Sequence, residues 1–61
     1  MEKLSRDEFS KLMAKAFKTK EKYPNVSMDD IAILSCTEYQ GRKDYGEILF
    51  QVTVNLVNAE R

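Results

Sequence analysis

The sequence contains no histidine and no tryptophan, and only one cysteine, one proline and two glycines. Without histidine the chain lacks the commonest general base and the commonest metal ligand, and a single thiol completes none of the usual zinc sets. Cys36 has no second cysteine to pair with, so no disulfide within the chain can reinforce the fold. Long apolar runs are missing too: no stretch reaches the roughly 20 residues that span a bilayer. The charged opening MEKLSRDE leads into no signal-peptide core. These absences point to a cytoplasmic protein with no membrane partner, and they make the sequon-like Asn25-Val26-Ser27 irrelevant. A surplus of charge is also lacking, since ten basic residues balance ten acidic ones. Nothing steers the whole molecule to nucleic acid or an anionic surface, so any such binding must be local.

What is present fits a single small domain over residues 1–61. A chain of this size buries only about 60% of the surface its unfolded form exposes, and disulfides, a structural metal or oligomerisation usually supply the rest. With the first two unsupported by composition, oligomerisation remains.

The stretch Leu4-Ser5-Arg6-Asp7-Glu8-Phe9 announces a helix. Ser5 is placed to cap it, Glu8 to return the bond, and Leu4 and Phe9 to close the staple across it. Phe9, Leu12, Met13, Ala16 and Phe17 then follow the spacing of one buried face. Pro24 ends the helix near Lys20–Lys22. Lys20 falls on the apolar side, its stem covering hydrophobic surface.

Beyond Pro24 the apolar period reads as two. Ile31 to Tyr39 is expected as a strand, although Ser27 and Asp30 could first cap one short turn. Ile48, Phe50, Val52, Val54 and Leu56 alternate with Gln51, Thr53 and Asn55 in a second, and eleven residues from Ile48 to Asn58 carry no charge. The intervening QGRKDYGE has the vocabulary of a turn. Pairing Leu34 near Val52 and Cys36 near Phe50 would place Ala32, Leu34 and Cys36 on the core face. The second face would carry Ile31, Ile33, Tyr39, Leu49 and Val57.

The expected fold is therefore α+β, an N-terminal helix packed on a C-terminal antiparallel β-hairpin. Two strands make a poor platform, and the second has an unguarded edge. A homodimer pairing Gln51, Val52, Thr53, Val54 and Asn55 across a twofold axis would complete a four-stranded sheet carrying two helices.

The best partner-binding candidates are Arg42, Lys43 and Tyr45, which join charge and an aromatic ring on one tip. Lys11, Lys15, Lys18 and Lys22 line one helix face, where a solvated surface competes with phosphate binding. Asp29 and Asp30 have no third ligand beside them, and Cys36 has no activating base. No metal, cofactor or catalytic residue is expected, and the chain reads as non-enzymatic. The leading functional expectation is a dimeric protein-binding module, a regulator or inhibitor of an unidentified partner protein. The alternative is a nucleic-acid or small-ligand binder using the basic tip and lysine stripe.

Overall fold

A computed structural model describes residues 4–60, and every regular element among them is helical: α1 (Arg6–Lys22), α2 (Met28–Ser35), a single 3₁₀ turn (Thr37–Tyr39) and α3 (Tyr45–Ala59). Met1–Lys3 of the charged opening lie outside the described residues.

The local signals at α1 act as the sequence implies. Ser5 Oγ accepts from the Glu8 N–H at 3.1 Å, and Glu8 Oε1 accepts from the Ser5 N–H at 3.1 Å. Two orphan donors are thereby satisfied, and Asp7 and Glu8 stand at the positive end of the helix dipole. At the other end Tyr23 N–H reaches Thr19 O at 2.9 Å, and Lys20 Nζ donates to Pro24 O at 3.1 Å. The half-buried Lys20 stem and this bond hold the chain as it leaves α1.

The short turn at Ser27 is the start of a full helix. Ser27 Oγ accepts from Asp30 N–H at 3.2 Å, Ile31 N–H bonds Ser27 O at 2.9 Å, and Asp29 and Asp30 occupy the first turn. Residues 31–39, expected as a strand, instead form most of α2 and the 3₁₀ turn. Parity no longer sorts the faces, since Ala32 and Cys36 of the expected core set stay fully buried while their neighbours change places. Leu34, assigned to a sheet core, is exposed, while Ser35 is fully buried with its hydroxyl donating to Ile31 O at 2.8 Å. Ile31, expected on a second sheet face, is fully buried, whereas Ile33 is exposed.

The second expected strand is α3, and the turn QGRKDYGE is divided between the α2–α3 connection and the first turn of α3. The α+β hairpin, the Leu34–Val52 register and the four-stranded dimer sheet are therefore corrected: the described residues contain no strand. The physical reason lies in the spacing. Ile48, Val52 and Leu56 are four apart, which puts them on one face of a helix as well as on one face of a strand. Residues 47–59 hold neither glycine nor proline, which favours the helical solution, and the polar side chains conform to it. Thr53 Oγ1 donates to Leu49 O at 2.9 Å and Asn55 Nδ2 to Gln51 O at 2.7 Å, each bonding one turn back.

The core joins Leu12, Met13 and Ala16 of α1 with Ile31, Ala32 and Cys36 at α2 and Ile48, Val52 and Leu56 of α3. Leu4, Phe9, Val26, Met28, Tyr39, Tyr45 and Leu49 pack around it. Phe17 is corrected from core to margin, with 42% of its surface exposed. α2 packs against both other helices, which also touch each other.

Gly46 separates the two readings in solution. A turn would use a glycine for its backbone freedom, but here Gly46 has no positive φ and a Cβ built on it meets nothing within 4 Å. Gly46→Ala is expected to raise stability by about 0.5 kcal/mol, seen as a higher urea midpoint at unchanged slope. A lowered midpoint would place Gly46 outside a helix.

Candidate functional site

Three helices give a nine-residue core a limited capacity to cover apolar surface, and α3 carries more of it than the core takes up. Counting about 100° per residue around the axis, Ile48, Val52 and Leu56 define the inward side, with Tyr45 and Leu49 beside them. Continuing past Leu49 come Thr53, Gly46, Val57, Phe50 and Val54, all uncharged, before the polar strip of Glu47, Asn58, Gln51 and Asn55 closes the circle. The apolar arc is about twice as wide as the buried one. Phe50, at its outer edge, is 63% exposed, Val57 is exposed, and Val54 and Thr53 are half-buried. From Ile48 to Ala59 no side chain is ionisable.

The five residues expected at a strand-paired interface are divided among different faces. Val52 is fully buried and faces α1 and α2, Gln51 and Asn55 lie on the polar strip, and Thr53 and Val54 lie on the outer apolar arc. Phe50 and Val57 were the members that alternation assigned elsewhere, and a helical projection of residues 45–59 places them together.

The tip candidates are drawn inward by their neighbours. Arg42 Nε donates to Asp44 Oδ1 at 2.8 Å and Arg42 Nη2 to Asp44 Oδ2 at 3.1 Å, a two-pronged pairing that leaves the Asp44 side chain 9% exposed. The hydrogen bond from Arg42 is the main cause holding the Asp44 carboxyl below its usual range. Asp44 stands at the α3 N-cap position with its carbonyl accepting from the Ile48 N–H at 2.9 Å, but its side chain caps no N–H because the carboxylate oxygens serve Arg42. Tyr45 packs against the core, and Lys43 alone of the three is exposed. Arg42 and Tyr45 thus set the α2–α3 connection.

Lys11, Lys15, Lys18 and Lys22 are all exposed on the side of α1 away from the core. Lys15 Nζ lies 3.6 Å from Glu38 Oε1, an exposed pair of little energetic weight, and Lys22 Nζ stands 5.7 Å from the Tyr23 ring centre. A groove of about 360 Å³ beside the stripe is lined by Glu8, Lys11, Leu12, Lys15, Glu38 and Tyr39, both signs of charge together, so it is no anion cradle. A second cleft, of about 340 Å³, lies where the N-terminal ends of α1 and α3 meet, over Leu4, Phe9 and Ile48 with Asp44, Glu47 and Gln51 at its rim.

Asp29 and Asp30 are exposed in the first turn of α2, and no three His, Cys, Asp or Glu side chains gather among the described residues. Cys36 is fully buried, and loss of solvent pushes its thiol pKa up, with Lys15 pulling weakly the other way. A thiol in that state is a small core hydrophobe rather than a nucleophile. No helix of the described residues is long and apolar enough to cross a membrane.

Comparison with known proteins returned no matching family model, no matching curated protein and no matching solved structure.

Proposed function

We propose that the chain is a non-enzymatic helical module that acts as a regulator or inhibitor by docking the outer face of α3 on another protein. The exposed Phe50 in a charge-free helical arc carries this reading. Single exposed apolar residues are ordinary, but an aromatic ring continuous with Val54 and Val57 on a rigid helix has the make-up of an interface hot spot. Helix-in-groove recognition uses anchors at this kind of spacing, four and seven residues apart. The chemistry of the side chains supports the non-enzymatic part: with no histidine, and with the one thiol buried, acid–base and nucleophilic roles lack their usual agents.

The lysine stripe favours a second reading, nucleic-acid binding, because all four ammonium groups face solvent on one side of α1. One experiment separates the two. A photo-crosslinking residue placed at position 50 or at position 18 is irradiated in the cells that make the protein. Protein adducts from position 50, with few from position 18, are expected. Nucleic-acid adducts from position 18 alone would favour the lysine stripe and remove α3 as the working surface.

A further inference from the structure

We propose that the outer face of α3 is occupied by the same face of a second copy, the two α3 helices running antiparallel about a twofold axis between Thr53 and Val54. This rests on the docking reading above and names its partner. Charge is the first argument. The arc from Ile48 to Ala59 offers no ion to pair with a charged partner, and within it the flanking Gln51, Asn55 and Asn58 are neutral, the acidic Glu47 and Glu60 standing just beyond its two ends. Like-charge repulsion, the usual obstacle to self-association, is absent from the centre of the contact and confined to Glu47 and Glu60 at its ends, and ten positive against ten negative residues remove it from the molecule as a whole.

Shape is the second. Phe50 and Val57 lie seven residues apart, close to two helical turns, so both point the same way. In an antiparallel pair centred between Thr53 and Val54, each Phe50 ring comes level with the other copy's position 57. A large side chain meets a small one twice, and Thr53 and Val54 meet at the centre. A parallel pair would set ring against ring and leave a gap two turns on. The arrangement is isologous and closes on itself, so it ends at two copies.

Area sets the strength of the contact. A side chain of phenylalanine size buries roughly 150–250 Å² when fully covered, so the exposed part of Phe50 with Val54 and Val57 contributes a few hundred Å² per copy. That falls short of the roughly 800 Å² per partner of a long-lived complex. The dimer is accordingly reversible, with dissociation in the micromolar range or weaker, and a heterologous partner competes for the same face.

Sedimentation equilibrium on the purified full chain tests this, with circular dichroism to confirm that each variant keeps its helices. The wild type is expected to pass from monomer to dimer with rising concentration. Phe50→Glu and Val57→Lys, both at exposed positions, should each weaken association by about tenfold or more. The double variant Phe50→Glu/Val57→Lys should recover to within about threefold of wild type, since the antiparallel pair sets each glutamate beside a lysine while a parallel pair sets like against like. A wild type that stays monomeric to high concentration, or a double variant no better than the singles, overturns the proposal. A monomeric wild type whose position 50 still crosslinks to another protein sinks self-association but leaves the docking reading standing; no crosslinks and no dimer would end both.

Discussion

Ile31→Ala is expected to cost about 2–5 kcal/mol, while Ile33→Ala on the same helix costs under about 1 kcal/mol. The residues have the same chemistry and stand two positions apart. Ile31 is fully buried among α1, α2 and α3, and its loss leaves a cavity that a nine-residue core has few neighbours to fill. Ile33 is 41% exposed and projects from the far side of α2. A domain of this length holds roughly 3–9 kcal/mol of stability in all, so the first change brings the chain near unfolding. Urea denaturation followed by helical ellipticity would measure both. In a strand, Ile31 and Ile33 would share a face and suffer alike. Equal costs would therefore speak for the hairpin and against α2.

Thr53→Pro is expected to destabilise by about 3 kcal/mol or more, and Thr53→Ala to change stability by less than about 0.5 kcal/mol. Position 53 lies in the middle of α3, where proline removes a main-chain donor and its ring meets the carbonyl of Leu49. That carbonyl already accepts the Thr53 hydroxyl at 2.9 Å. Alanine gives up this half-buried bond but gains helix propensity, and the two offset each other. Comparing the two variants by thermal melting separates the backbone effect from the loss of the side chain. A Thr53→Pro chain that melts like the wild type would mean that residues 45–59 are not a continuous helix.

The site was legible in composition but not in arrangement. The charge-free stretch from Ile48 to Asn58 drew attention on sequence alone, and self-association was expected of it. Which of its residues face outward depends on the period, and Ile48, Val52 and Leu56 satisfy two periods at once. Val52 and Phe50 share a strand face, yet on α3 they diverge: Val52 is fully buried and Phe50 is its most exposed large apolar residue. Arg42 and Tyr45 looked available because nothing in the sequence says that Asp44 will turn back to the guanidinium, or that the ring will lie on the core.

What the sequence determined by itself was local. Ser5 with Glu8 started α1, Ser27 with Asp30 started α2, and Pro24 separated them, because caps and breakers act over three or four residues and need no partner from elsewhere in the chain. The conformation of residues 31–59 was decided by tertiary structure. Their β-branched side chains lean weakly toward strand, by less than a packed core contributes. In three helices Ile31, Val52 and Leu56 all become fully or almost fully buried in one core shared by α1, α2 and α3, whereas one hairpin would have left an open edge. Burial against distant segments outweighed the local preference.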